Sequence, residues 1–442
     1  MSSAAAWLEA GILAAVGVPA LVLFIIAAFS FVGRPWREDR VGMLIQAGLL
    51  ISLGALLTAA LLFIRTGRPS VVVSLGGGWI AGGIFAFDLL IDVWSLGFAI
   101  LSVTICGVVS AFSFRYLHQE PGFHRYFMLL VAFVIGLLLV SLAGSIEVLY
   151  AGWEILGLSS ALLVAFFHER PSPVANGLRV LTFYRIGDAC MLSAAVLLHH
   201  WAGSGSLSML FSGTASAKLG PEHAGVIAML LIGAAAAKSA LLPFSTWLPR
   251  AMEGPTPSSA VYYGALSIHA GCFLLLRASS LLEHSVAARV MAVAAGAGTA
   301  VYATLVTRVQ TDVKSRLCFA SLTQVGIIVI EIGFGWKTLA FLHMAGNASY
   351  RLLQFLNAPN ILHDIHELEN DLGGRFASPD AFAQAGFGRK LYLFALERGF
   401  LDGMIERWVV GPVSCLALWL DRMDRRLCGS LPGLLGKDWD GD

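Results

Sequence analysis

The chain has 442 residues, 57% of them hydrophobic and 13% charged, with a formal net charge of +1. A soluble globular protein carries about 25% charged residues, so this composition, with a mean hydropathy of +0.77, excludes an ordinary soluble domain and describes an all-α polytopic membrane protein whose solvent is the lipid bilayer. The near-neutral balance argues against a nucleic-acid partner, and six cysteines placed singly (Cys106, Cys190, Cys272, Cys318, Cys415, Cys428) offer neither a metal site nor a disulfide framework.

A helix that crosses the hydrocarbon needs about 20 apolar residues. Eleven stretches qualify, near 7–31, 43–64, 93–113, 126–143, 146–167, 178–201, 225–247, 258–282, 286–306, 315–335 and 337–357, which gives a bundle of about 11–12 transmembrane helices. The first has no basic segment ahead of it and is expected to be retained, not cleaved as a signal. The segment 69–92 is glycine-broken and β-branched at its start, so a short extended or hairpin element outside the bilayer is expected there. Small residues spaced four apart, such as Ala292 and Gly296, suit close helix packing in lipid. Basic residues number eleven in alternate loops beginning with Arg34 and six in the others. That asymmetry predicts an N-terminus outside a bacterial inner membrane and a cytoplasmic C-terminus.

Beyond Pro359 the sequence turns polar and loop-like, and then alternates apolar stripes with charges at helical spacing. Its longest uncharged run, Trp408 to Leu420, is interrupted by Gly411 and Pro412 and is too short to span. One or two amphipathic helices, on the membrane surface or against a partner, are expected; an ordinary solvated tail fits the pattern equally. Three parts follow: N-terminal helices and an extracytoplasmic loop over 1–84, a transmembrane core over 85–358, and a C-terminal segment over 359–442 expected to dock a partner.

Ionisable residues inside apolar helices cost roughly 2.5–3.5 kcal/mol each on insertion scales and are functional hypotheses by default. Lys238 lies within AMLLIGAAAAKSALLPFSTWL, where Pro243 is expected to break the helix a turn later. Glu154 lies within LYAGWEILGLSSALLVAFF. Opposite charges on different apolar helices imply a buried pair, and a carboxylate that approaches or leaves an amine controls whether it keeps its proton. Arg185 and Asp188 stand three apart, one helical turn, so they can pair with each other, either as a structural bridge or as part of the site. His269 is either a relay or a hydrogen-bonded packing residue. His343 and Arg351 share a helix face with Asn347 midway. Arg351 cannot itself release a proton.

The stretches FDLLIDVWSLGFAIL, YAGWEILGLSSALLVAFF, YRIGD, KSALLPFSTWLPRAMEGPTPSSA and VQTDVKSRLCFASLTQVG resemble the antiporter-like subunits of respiratory complex I and of multi-subunit cation/proton antiporters. The resemblance covers about residues 85–357 and implies an antiporter-like fold with one broken-helix half-channel. It implies that Glu154 and Lys238 form the gating pair of that half-channel, that Arg185 and Asp188 belong to its RxGD motif, and that Lys314 matches a lysine near a helix start. The chain departs from the pattern at three places. Tyr263 stands where the family has a histidine, with His269 six residues on. The HxxxHxxxK pattern reads His343, Asn347 and Arg351. The broken helix with an exit-side lysine is missing, so the second repeat is expected to be truncated.

These departures, with LLQFLNAPNILHDIHELENDLGG and KLYLFALERGFLDGMIERWVVGPV, resemble one branch, the membrane subunits of DAB-type inorganic-carbon uptake systems. That likeness implies a proton- or cation-conducting transporter subunit, not an enzyme, with no cofactor or metal of its own. It implies a soluble zinc-containing, carbonic-anhydrase-like (DabA-like) partner on the cytoplasmic face, whose CO2 hydration the ion gradient would drive. The alternatives are a subunit of a complex I-like NADH-quinone oxidoreductase or cation/proton antiporter complex, and a non-conducting scaffold.

Overall fold

The computed structural model describes residues 3–67, 70–77, 86–211, 214–310, 312–371, 386–405, 407–408 and 411–429. The chain divides into two compact units, Met1–Ser378 and Pro379–Asp442.

The first unit is a helical bundle with one hairpin. Helices α1 (Ser3–Phe31) and α2 (Glu38–Thr66) pack on each other at its periphery. Their outward faces carry Leu21, Phe24, Leu50 and Leu61 exposed, as lipid-facing side chains should be. Strands β1 (Val71–Gly77) and β2 (Ala86–Ile91) then pair antiparallel, with Val71 opposite Ile91 and Ser74 opposite Asp88. This is the hairpin expected from residues 69–92, although residues 78–85 lie outside the described chain. Its return strand leads to Asp92, which caps α3 (Val93–Tyr116) in a reciprocal capping box with Ser95. Helices α4 (Phe123–Leu142), α5 (Ile146–Val164), α6 (Pro171–Ala202), α7 (Leu207–Phe211) and α8 (Thr214–Lys238) follow.

After α8 the chain leaves regular helix. Short helices α9 (Trp247–Arg250) and α10 (Thr256–Ser259) precede a π-helical stretch over Ala260–Ala265, which runs into α11 (Ser267–Arg277) and α12 (Ser279–His284). The segment Thr256–Arg277 is buried throughout and forms the axis of the bundle. It is closed by α13 (Val286–Thr307), α14 (Val313–Gly333) and α15 (Lys337–Asp371).

Among the described residues, ten helices are long and apolar enough to cross a membrane. They match the first ten expected spans, with two differences in detail. The stretch 225–247 is not one span, because α8 stops at Lys238. The stretch 258–282 is a composite of α10, the π-helix, α11 and α12. The eleventh, 337–357, is helical within α15 but is not among the ten; His343, Asn347 and Arg351 dilute its apolar character. Helix α15 also continues to Asp371, where a polar loop was expected. Polarity there does not prevent a helix, since Leu, Glu and His do not oppose helix formation.

The second unit holds α16 (Gly386–Leu396), α17 (Leu401–Ile405) and α18 (Gly411–Gly429). Gly399 separates the first two in a left-handed conformation (φ 72°). Helix α18 begins where Gly411 and Pro412 interrupt the uncharged run, and it exposes Leu416, Trp419 and Leu420 beside Asp421 and Arg422. Helices are therefore present in the C-terminal segment where they were expected.

Candidate functional site

The end of α8 sets the site. Ala240 is held left-handed (φ 54°), and the Leu241 N–H reaches back to Ala236 O at 3.0 Å. This is the six-to-one closure that ends helices, here built on alanine in place of glycine. The break therefore falls at Ser239–Ala240, earlier than Pro243, and Lys238 is the last helical residue. The Ala237 carbonyl accepts the Trp247 indole N–H at 3.1 Å. The Leu242 N–H donates to Thr299 Oγ1 at 3.0 Å. The broken segment is thus satisfied by α9 and α13 instead of by its own helix.

Lys238 is 1% exposed. Its Nζ donates to the Trp153 carbonyl at 3.2 Å. It also stands 4.0 Å from the centre of the Tyr184 ring and 4.9 Å from that of Trp153. The bare backbone of Gly157 makes the room: a Cβ there would come 2.7 Å from Nζ. The expected direct pairing of Glu154 with Lys238 is not what the structure holds. Glu154 is bound by Arg185, which also meets Asp188 at 2.7 Å. Asp188 is 3% exposed. One side of the site is therefore a Glu154–Arg185–Asp188 cluster across α5 and α6, and the other is an amine held by a carbonyl and two rings. The reason is geometric. Trp153, not Glu154, faces α8, and the guanidinium fork is long enough to collect both acids.

On the other side of the break, α11 packs closely on the end of α8, so close that a Cβ at Gly271 would come 2.6 Å from Ala235 O. Hydroxyls of Ser239, Ser267 and Tyr184 are buried there without a protein hydrogen-bond partner. His269 is fully buried. Its Nδ1 faces the Ala265 carbonyl at 2.5 Å, so that nitrogen carries hydrogen. Its Nε2 faces Asn347 Nδ2 at 3.0 Å and accepts from it. The Arg351 Nε–H donates to Asn347 Oδ1 at 3.3 Å, which fixes the amide that way round. Arg351 is itself held by Gln354 at 2.5 Å and Ala320 O at 3.1 Å. His269, Asn347 and Arg351 are thus one directed hydrogen-bond chain.

His343 does not join it. Its ring turns to Glu331 and Gln324 on α14. Tyr263 is buried in the π-helix, and its hydroxyl donates to Ser160 O at 3.3 Å, tying α5 to the axis. Lys314 sits in the first turn of α14, beside the cap that Asp312 makes to the Ser315 N–H at 2.7 Å, and does not reach the cluster.

Sequence reasoning passed over Trp153, Tyr184, Gly157 and Glu331. Glu331 carried a usable signal, an acid inside the apolar run VGIIVIEIGFG. The others carried none, because a ring or a glycine in an apolar helix reads as packing. Among the described residues no cluster of His, Cys, Asp or Glu fits a metal ion.

Fold and site together define a multi-pass membrane protein with buried, linked ionisable groups at a broken helix. The family described as NADH:quinone oxidoreductase/Mrp antiporter, TM matches residues 143–373, and the chain belongs to it. A second family, the N-terminus of chain 5 of NADH-ubiquinone oxidoreductase (complex I), matches residues 79–127. NADH-quinone oxidoreductase subunit L of Mycobacterium tuberculosis is 32% identical over 371 residues, covering 81% of this chain and 58% of that protein. NADH-ubiquinone oxidoreductase chain 5 of Sus scrofa is 30% identical over 317 residues, 72% of this chain and 51% of its own length. The chain therefore spans a little over half the length of the curated relatives it matches. Among solved structures, the Mrp complex from Dietzia sp. DQ12-45-1b superposes with a TM-score of 0.68 at 28% identity, over 84% of this chain and 38% of that one. An archaeal membrane-bound sulfane sulfur reductase, 20% identical with a TM-score of 0.68 over 88% and 77%, shares the fold.

Proposed function

We propose that this chain is the proton-conducting membrane subunit of a multi-subunit complex and carries no catalytic chemistry of its own. Lys238 is the observation that carries this reading. An amine sealed in the bundle, held by one carbonyl and two rings, gives the scaffold nothing that a well-packed apolar side chain would not. Three groups of opposite and like charge lie on its flank, and a small movement of Asp188 or Arg185 changes whether the amine keeps its proton. His269 lies across the break, with buried hydroxyls between. The proposed path runs from Glu154 and Asp188 to Lys238 and on to His269, with Asn347 and Arg351 orienting the histidine.

A neighbouring subunit is supported by exposure. Arg185 lies near the middle of α6, yet its side chain is 48% exposed beside a 25% exposed Glu154. Charges at mid-membrane facing lipid are costly, so a partner that covers this face of α5 and α6 is part of the proposal. The relatives named as NADH-quinone oxidoreductase subunits and the Mrp complex support a redox-linked pump or cation/proton antiporter complex as the setting. A second reading places the chain in inorganic-carbon uptake with a soluble zinc-containing, carbonic-anhydrase-like partner at the cytoplasmic face. Its support is Tyr263, Asn347 and Arg351 at positions where the family pattern differs. The basic-residue asymmetry supports an outside N-terminus.

Proton uptake into vesicles bearing the purified complex tests conduction. Loss in the Lys238→Ala variant of an intact complex is expected; undiminished uptake overturns the reading. The proteins that co-purify decide the setting. Quinone-reductase or antiporter subunits favour the first, and a soluble zinc protein favours the second.

A further inference from the structure

Three helix ends meet beside the hairpin. Helix α3 begins there at Val93, α11 ends there at Arg277, and α15 begins there at Lys337. Between them lies a cavity of about 290 Å³, whose wall includes Asp92, Trp94, Ser208, Arg277, Ser279 and Lys337. The Arg277 side chain is 6% exposed and donates from Nη1 to Asp92 Oδ2. Lys337 Nζ stands 2.8 Å from Glu283 Oε1. Toward the core, α3 and α15 close together. Trp94 meets Phe341 edge-on with ring centres 5.3 Å apart, and a Cβ at Gly97 would come 2.7 Å from Phe341 Cζ. The cavity therefore belongs to the end of the bundle and not to the proposed proton path.

Charge and hydrocarbon surface stand side by side at its mouth. Val93 on the cavity wall, and Trp336 and Leu339 on either side of Lys337, are exposed. Such a border, with a tryptophan on it, is the level of the lipid headgroups. A molecule that suits both surfaces carries a polar head and an apolar chain. The charges narrow the head. A guanidinium has five N–H donors and an ammonium three, of which Glu283 takes one, so Arg277 and Lys337 suit a phosphate. Asp92 accepts from Arg277 and from the Ser95 N–H, and a carboxylate has about four lone-pair sites in all. Two cations and two acids make the site neutral overall. A headgroup bearing phosphate alone would add an unmatched charge to it. A headgroup that joins a phosphate to a primary ammonium matches both signs, whereas a quaternary ammonium has no N–H to give an acid.

We infer that this cavity binds the headgroup of a phospholipid with a primary ammonium, as in phosphatidylethanolamine, with the phosphate at Arg277 and Lys337, the ammonium at Asp92, and the chains running down past Val93 and Leu339. The bound lipid ties the starts of α3 and α15 to the end of α11. It does so whether or not the chain conducts protons.

The test uses the whole complex, stripped of lipid in detergent and then offered phosphatidylethanolamine, phosphatidylcholine or phosphatidylglycerol, with the lipid retained counted by native mass spectrometry. Phosphatidylethanolamine should be held about tenfold more tightly than the other two, the worth of one charge-assisted hydrogen bond. Soluble phosphorylethanolamine should displace it, and inorganic phosphate at the same concentration should not. Lys337→Ala should weaken retention by about tenfold. Ser208→Phe fills the cavity and leaves every charge in place, so it should abolish the preference even if Lys337→Ala fails to assemble. Equal retention of the three lipids overturns the inference. So does equal displacement by inorganic phosphate, or an undiminished preference in an assembled Ser208→Phe complex.

Discussion

Lys238→Met separates a transport role from a structural one, because the two make opposite demands on stability. Burial of the ammonium at bilayer depth costs roughly 2.5–3.5 kcal/mol. Against that, contact with the Tyr184 and Trp153 rings returns roughly 2 kcal/mol once desolvated. The hydrogen bond to the Trp153 carbonyl returns about 1.5–3 kcal/mol as a charged bond. Methionine fills the same volume and keeps the ring contacts through its sulfur. The terms nearly cancel, so the variant should unfold within about 1–2 kcal/mol of wild type. Proton flux should vanish all the same. Thermal unfolding in detergent and dye-reported flux in proteoliposomes measure the two quantities on one preparation. A variant that conducts normally refutes the argument that the amine carries protons. A variant that loses several kcal/mol of stability along with flux refutes the accounting and assigns Lys238 to the scaffold.

Gly157→Ala places a methyl 2.7 Å from Lys238 Nζ and 3.4 Å from the Tyr184 ring. The flexible amine gives way and leaves the Trp153 carbonyl, so flux should fall by about tenfold or more while the melting temperature stays near wild type. Asn347→Asp replaces the donor facing His269 Nε2 with an acceptor. The imidazole then keeps hydrogen on both nitrogens, visible in ¹⁵N spectra of the ring, and flux should fall by about tenfold or more. Gly326→Ala should act on stability alone. Its Cβ would stand 2.6 Å from Gly296 O and 2.7 Å from Ala300 N, both backbone atoms, so α13 and α14 must part at a cost of about 1–3 kcal/mol; a melting temperature equal to wild type would contradict the close crossing.

Much of this protein is legible from one sequence because lipid imposes simple rules. Unpaired backbone cannot face hydrocarbon, so long apolar runs become helices, and the first ten expected spans are helical. Charges inside those runs are expensive, so Glu154, Arg185, Asp188, Lys238 and His269 stand out before any fold is known. The same reasoning applied to VGIIVIEIGFG would have picked out Glu331.

Partnership is another matter. Which acid meets which base depends on the rotation of each helix about its axis, and a one-residue difference changes the answer. Trp153 faces α8 where Glu154 was expected to, and Arg185 takes both carboxylates. Helix α8 ends at Lys238, before Pro243 is reached, because a left-handed Ala240 closes the helix, the Trp247 indole N–H donates to the released Ala237 carbonyl and Thr299 Oγ1 accepts from the Leu242 N–H. Asn347 reads as a neutral substitution in the sequence and becomes a fixed donor only when Arg351 holds its oxygen. Sequence by itself determined that this is a bundle of membrane-crossing helices with costly charges inside. Tertiary structure alone decided how those charges pair, because pairing is a matter of ångströms between side chains on different helices, and no local pattern encodes that distance.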